Sequence, residues 1–279
     1  MTVTSTQKPV AIASPRRPTM VASARELWDY RELVYFLAWR DVRVRYKQAA
    51  FGVAWAVLRP LLLVAIFTFL FSKVGHVDTH GVPYPIFAYV GMLLWTYFST
   101  ALQNGAESLV GSSNLVTKTY FPRLALPLAS VIAQLPDLAV GLLLLIPFML
   151  FSGVSPSILV TLLPAMLILL VVATAAVAIW LAALNVKYRD VKVAVPFLIQ
   201  AWLFITPALY PASAVPHSMQ LLYGVNPMAG LIELTRWSLL NTHPPSSTLL
   251  LPSAAVTVLL LVLGLRFFRH AEATFADVI

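Results

Sequence analysis

The chain contains no cysteine. Disulfides, thiol nucleophiles and thiolate metal sites are therefore excluded, though this says nothing of compartment. Charge is scarce too: Asp, Glu, Lys and Arg make up 11% of the 279 residues, against about 25% in soluble domains. With 59% hydrophobic residues, this is the composition of an integral membrane protein. No G-x-x-x-x-G-K-[ST] string occurs, so any ATP that drives the chain must be bound by another polypeptide. Residues 1–50 lack the apolar run of a cleavable signal peptide. No clear internal repeat is present, which disfavours an inverted-repeat carrier. Nor is there a nucleophile–base arrangement or a spaced pair of acids, so no motif supports an enzyme.

The most informative stretch is Trp39–Val74, WRDVRVRYKQAAFGVAWAVLRPLLLVAIFTFLFSKV. A basic helix face (Arg40, Arg43, Arg45, Lys47) runs into a long apolar segment whose one charge, Arg59, precedes Pro60. The uncharged part after Arg59 makes only about 20 Å of helix at 1.5 Å per residue. A bilayer core of roughly 30 Å needs about 20 residues. The span must therefore begin near Val53, with Arg59 inside it or at its rim. An arginine there has to snorkel, face a polar cavity or meet an anion. Upstream, Ser23 and Glu26 have capping-box spacing. Leu27, Tyr30, Val34 and Leu37 recur at helical spacing, with Leu33 and Phe36 widening the stripe. Residues 23–48 are predicted to form an amphipathic helix lying on the membrane surface, cations toward lipid headgroups. A simple membrane anchor is the plainer reading of the same residues. Residues 1–22, rich in Ser, Thr, Pro and Ala, read as a disordered cytoplasmic tail.

The fold expected is an all-α membrane protein with six transmembrane helices, near 53–72, 86–103, 124–151, 158–184, 193–210 and 249–267. A short cytoplasmic tail, 268–279, follows. The third span is interrupted by Pro127, Pro136, Asp137 and Pro147. Between spans five and six, Pro211–Thr248 is too apolar for an ordinary loop. Asn226-Pro227 looks like an N-cap with proline at the first helical position. The helix it opens, running to about Leu240, is too short to cross, which suggests a re-entrant or interfacial pair packed on protein. A bracing cap with no transport role is the alternative. Of the 19 Lys and Arg, all but Lys73 and Arg236 fall on one side of this layout. The positive-inside rule then places both termini in the cytoplasm. It also accounts for the net charge of +8 without nucleic acid.

Few residues propose chemistry. His76, Asp78 and His80 alternate along a loop, but a metal needs three or four convergent ligands, and a solvated loop is the better reading. Asp137 is the one carboxylate well inside a span: either functional, or paired with a cation where the helix opens beside Pro136. Glu233 and Arg236, three apart, are expected to pair with each other. Trp202, Phe204 and Tyr210 on span five, and Trp55 on span one, are candidate walls of a conduit in which sugar C–H faces would stack. The interfacial aromatic belt is the ordinary alternative.

The chain resembles the membrane permease of polysaccharide-export ABC transporters, the type 2 exporter class that moves O-antigen, teichoic acid, capsule or galactan chains. The resemblance runs from Glu26 to Ile279. It rests on LAWRDVRVRYKQAAFGVAWAVLRP (Leu37–Pro60), NLVTKTYFPRLALPLASV (Asn114–Val131), LNVKYRDVKVAVPFLIQAWLFITPALYP (Leu184–Pro211), NPMAGLIELTRWSLL (Asn226–Leu240) and the terminal FADVI. It implies a homodimer of six-span subunits in the cytoplasmic (inner) membrane of a bacterium. It also implies two copies of a separate ATPase, which carries the ATP and Mg, this chain holding no cofactor. The substrate implied is a lipid-linked glycan on a polyprenyl pyrophosphate. Ser113–Arg123 (with Asn114, Lys118, Tyr120, Phe121, Pro122 and Arg123) matches the segment that contacts the ATPase, and 185–192 is a weaker second contact. Pro211–Leu240, with Asn226, Pro227, Glu233 and Arg236, matches extracytoplasmic gate helices. On this reading Arg40, Arg43, Arg45, Lys47 and Arg59 meet the pyrophosphate. The rival readings are a type 2 permease for a drug or small lipid, a membrane-embedded lipid-modifying enzyme, and an ion-coupled carrier using Asp137.

Overall fold

The computed structural model describes residues 26–47, 58, 61–69, 79, 81–188, 190–273 and 275. Regular structure among the described residues is helical. In chain order the helices are α1 (Arg31–Lys47), α2 (61–69), α3 (Tyr84–Gly111), α4 (Ser113–Lys118), α5 (Ala125–Ile132), α6 (Leu135–Ser152), α7 (Leu163–Lys187), α8 (Val191–Phe204), α9 (His217–Gly224), α10 (Pro227–Leu240) and α11 (Ser247–Glu272). Short 3₁₀ turns cover Ile158–Leu162 and Ala212–Ala214.

Among the described residues, four segments are long and apolar enough to cross a bilayer: Tyr84–Gly111, Ala125–Ser152, Ile158–Lys187 and Ser247–Glu272. The predicted start of span one, the tail 1–22, Ser23 of the proposed cap, Trp55, Arg59 and the His76–Asp78–His80 loop lie outside the described residues. The predicted fifth span is a shorter helix, α8, which ends at Phe204 and gives way to turns through Tyr210. Pro207 cannot extend an α-helical hydrogen-bond ladder, and the carbonyls released there are used elsewhere, as described below.

Helix α3 is the central post. Its 28 residues make about 42 Å of helix. It is buried on nearly every side between Ile86 and Leu102. Small residues let α7 approach it: a Cβ on Gly105 would press on the Ala178 methyl. This is how membrane helices pack where lipid offers no hydrophobic drive. Tyrosine and asparagine side chains then tie the post to its neighbours through main-chain oxygens. Tyr89 donates to Gly141 O at 2.8 Å, Tyr97 to Val131 O at 3.2 Å, and Asn185 Nδ2 to Ala106 O at 2.8 Å. On the far side of α7, Trp180 lies over Gly264, stacks on Phe267 at 5.1 Å and donates to Leu260 O at 2.9 Å, fixing α11.

Of the residues expected to interrupt the third span, Pro136 marks the break, whereas Pro127 lies within α5 and Pro147 within an unbroken α6. Pro136 sits in the first turn of α6, where its missing N–H is harmless. Continuing α5 through it would remove a bond to Ile132 and set its ring against that carbonyl. The third span therefore breaks at Ala133–Gln134 into α5 and α6. At its other end α6 stops at Gly153, in the left-handed conformation with φ +66°, which glycine adopts without a Cβ penalty. The sixth span extends beyond the predicted 249–267. Helix α11 continues to Glu272, and Phe275, assigned to a tail by sequence, is 1% exposed.

Candidate functional site

At one end of the bundle α1, which the sequence predicts to be amphipathic, lies against α5. Leu37 and Ala38 are buried in a cluster with Ala125, Leu126 and Ala129, and Leu27, Leu33 and Val34 pack on its edge. Tyr35, Phe36 and Trp39 remain exposed on the other side. Hydrophobic residues on both faces suit a helix between protein and lipid. The two readings left open for Asp137 resolve into a pair. Arg45 Nη1 donates to Asp137 Oδ2 at 2.7 Å, and the Tyr46 hydroxyl donates to the other carboxylate oxygen. Arg45 also reaches Ala133 O at 3.4 Å, the carbonyl at the α5–α6 break. Arg40 is held by the neighbouring Asp41 at 2.9 Å. Arg43 lies over the Trp39 ring at 5.7 Å, and neither it nor Lys47 has a carboxylate partner among the described residues. The five sequence-picked cations thus separate into matched (Arg40, Arg45), unmatched (Arg43, Lys47) and outside the described residues (Arg59).

Beside them, α3 turns into α4. Asn114, Lys118 and Tyr120 point to solvent, Tyr120 with 87% of its surface free. Phe121 and Pro122 are buried, and Phe121 joins the cluster of Leu124, Phe268 and Phe275. Phe268 and Phe275 meet edge to face at 5.3 Å. Arg123 donates to the carbonyl of Glu272 in the last turn of α11, a cation at a helix C-terminus, where the dipole favours it. One exposed tyrosine is therefore mounted on a base joining α5 and α11. The sequence did not point to Phe275 or Glu272 as parts of this base; the FADVI motif was its only trace.

A groove between α2, α3 and α8 is lined by Leu62, Leu63, Trp95 and Leu203 and by the hydroxyl and amide groups of Thr96, Ser99, Thr100 and Gln103. Those four polar residues recur at helical spacing along α3, a signal that the sequence contained and that hydropathy averaging hid. Trp202 packs edge to face on Phe98 at 5.3 Å and is partly buried, whereas Phe204 is exposed. Tyr210 donates to Phe204 O at 2.9 Å and shares a hydrogen bond with Tyr223.

At the opposite end, α10 begins as its sequence signals: Asn226 Oδ1 accepts from Met228 N at 3.0 Å, with Pro227 following. Asn226 Nδ2 also reaches Thr206 Oγ1 at 2.8 Å. Glu233 and Arg236 pair at 3.1 Å, as their spacing predicts. The pair is only part of the arrangement, because Arg236 is 0% exposed. Its guanidinium donates to Pro207 O at 2.7 Å, Ala208 O at 2.6 Å, Tyr210 O at 3.3 Å and Phe87 O at 3.2 Å, and stands 3.6 Å over the Phe87 ring. The first three are carbonyls freed where α8 ends, and Phe87 O belongs to α3. Five fixed donors in a planar fork suit such a set. Glu233 Oε1 also accepts from Ala212 N at 2.9 Å, holding the chain beyond the break. Gly91 makes the approach possible: a Cβ there would overlap both Ala208 O and the Arg236 guanidinium. No group of three or more His, Cys, Asp or Glu converges to hold a metal among the described residues.

Comparison with known proteins accords with this architecture. The ABC-2 type transporter family model matches residues 32–240, from α1 through α10. The O-antigen export system permease protein RfbA of Myxococcus xanthus is 32% identical over 260 residues, covering 92% of this chain and 99% of that protein. RfbA of Klebsiella pneumoniae is 27% identical, covering 89% and 95%. The polysialic acid transport protein KpsM of Escherichia coli is 21% identical, covering 84% and 91%. The match takes in α1, the α3–α4 turn and the buried Arg236 node alike, and the chain is a multi-pass membrane protein that belongs to the ABC-2 type transporter family.

Proposed function

We propose that this permease is the membrane-spanning subunit of an ATP-driven exporter that carries a polyprenyl-pyrophosphate-linked polysaccharide across the bacterial cytoplasmic membrane. The observation that carries the reading is its near full-length similarity to O-antigen export permeases. The working unit is a homodimer of six-span subunits with cytoplasmic termini, joined to two copies of a separate ATPase that supplies ATP and Mg. Helix α2 belongs to span one, and α8 with its terminal turns is span five. Helices α9 and α10 are the re-entrant gate pair on the outer side.

The parts then take roles that fit their chemistry. Arg43 and Lys47 on α1, together with Arg59, meet the pyrophosphate; Arg45 holds α1 on the bundle through Asp137, while Arg40 is matched by Asp41 of the same helix. The exposed Tyr120 enters the ATPase, and Phe121, Pro122 and Arg123 pass its displacement to α5 and α11, with 185–192 as a second contact. Trp55, Trp202, Phe204 and Tyr210 border the glycan path, whose polar side is the Thr96–Gln103 stripe. The exposed apolar residues Val193, Phe197 and Leu198 of α8 and Leu62 and Ile66 of α2 face lipid or the second subunit.

The test is co-purification with the cognate ATPase, followed by ATP hydrolysis with and without lipid-linked glycan in vesicles. A stable complex whose hydrolysis responds to the glycan, and loses that response in Tyr120→Ala while remaining assembled, supports the reading. A permease that no ATPase binds, or hydrolysis that ignores the glycan and follows a small lipid, overturns it.

A further inference from the structure

A cleft of about 430 Å³ lies between α1, α3 and the joint of α5 and α6, within the size range of small-ligand pockets. Gln134 stands in that joint and lines the cleft. It is 2% exposed. Its Nε2 donates to Ser130 O at 3.3 Å, but its Oε1, fully buried, has no hydrogen-bond partner among the described residues. An unmet buried acceptor costs about 1–3 kcal/mol, so a group of this kind at the wall of a cavity points to a donor supplied from outside the chain.

The lining identifies the donor by class. Each guanidinium in the wall already holds a carboxylate, Arg40 on Asp41 and Arg45 on Asp137. No uncommitted cation inside the cleft favours an anion. The remaining groups are an exposed amide (Asn104), a carboxylate (Glu107), the Gln134 oxygen and the spare N–H donors of Arg40, above an apolar floor of Leu126 and Ala129. Donors and acceptors around one cleft over a C–H-compatible surface match the hydroxyls of a neutral ring. The unmatched cations Arg43 and Lys47 follow on the same helix within about two turns of Arg40.

We propose that this cleft holds the sugar adjoining the pyrophosphate of the lipid-linked glycan, with Gln134 Oε1 accepting from one of its hydroxyls while the phosphates remain outside on Arg43 and Lys47. The inference rests on the exporter reading and adds to it a built site for the first sugar. The permease then selects its cargo at the carrier-linked end, before the chain reaches the Thr96–Gln103 groove.

The experiment uses the permease–ATPase complex in a detergent without sugar head groups. Two probes are compared by calorimetry: a short-chain prenyl pyrophosphate bearing one N-acetylhexosamine, and the same prenyl pyrophosphate without sugar. The wild-type complex is expected to bind the sugar-bearing probe more tightly. Gln134→Leu is expected to weaken that probe about tenfold, the net scale of one neutral hydrogen bond, and to leave the bare probe within about twofold. Asn104→Ala, at an exposed position that folding tolerates, is expected to give a smaller loss, again for the sugar-bearing probe alone. Equal binding of the two probes by wild type, or equal losses in the variants, overturns the sugar site and leaves the exporter reading standing. Binding of neither probe overturns both.

Discussion

Arg236 near one end of α3 and Arg45 near the other are both held by oxygen atoms, but the oxygens differ in kind and setting. Arg236 is wholly buried and spends most of its donors on main-chain carbonyls of α3 and of the broken end of α8. Arg45 is over a quarter exposed and is held mainly by one carboxylate, on a helix that rests on the bundle from outside. Carbonyls at a helix break cannot find other partners without refolding, so the first arrangement fixes the backbone. A partly exposed carboxylate can release its cation without refolding the backbone, so the second can open. The end assigned to the gate is braced from within, and the end assigned to substrate loading is fastened by a releasable pair.

The largest effect is expected from Arg236→Leu. It leaves at least four carbonyls and Glu233 without their cation, and breaking one partner out of a buried set costs about 3–5 kcal/mol. The yield of monodisperse protein in detergent should collapse. Arg236→Lys keeps the charge but not the fork, so it should recover only part of that yield. A stable Arg236→Leu protein would show that the break in α8 holds without the arginine, and the comparison between the two ends would fail.

Gly91→Ala attacks the same node from α3. The added methyl overlaps Ala208 O and the guanidinium, and overpacking of this kind costs about 1–3 kcal/mol. Gly111→Ala on the same helix is the control, since a Cβ there meets nothing and alanine is the better helix former. The thermal midpoint should fall for the first and hold or rise for the second.

How much of this could be read from the sequence depends on how local the cause was. Asn226-Pro227 opening α10, the Glu233–Arg236 spacing and the break before Pro136 are consequences of neighbours within a turn or two, and each is present as expected. The bonds from Arg236 to Phe87 O and from Arg45 and Tyr46 to Asp137 join residues far apart in sequence. No spacing rule reports them, and so a residue read as one half of an ion pair proved to be the clasp on a broken helix. Gln134 was invisible for another reason: an amide in an apolar run reads as an ordinary polar interruption, and only packing shows that its oxygen is left unmet. The burial of Phe275 was hidden the same way, in a segment that composition assigned to a tail.

On the releasable side, Asp137→Asn removes the charge that holds Arg45 while keeping the shape. Both groups are partly exposed, so the loss should stay near 1 kcal/mol. The informative reading is local. Amide exchange of α1 should quicken while α10 remains protected, and glycan-dependent ATP hydrolysis should fall. Equal quickening at both ends would mean that the bundle, and not the pair, fixes α1.

The smallest effect belongs to Lys192 and Glu107, 3.8 Å apart and more than half exposed, on α8 and α3. A double-mutant cycle on this pair should give a coupling no larger than about 0.5 kcal/mol, fading further as salt is raised. Glu107 also lines the cleft beside α1, and that makes the near-zero value useful. With nothing gained from Lys192, the carboxylate is energetically free to turn toward a hydroxyl ligand. A strong, salt-resistant coupling would instead make Glu107 a fixed strut between α3 and α8, and would remove it from the groups that the first sugar can reach.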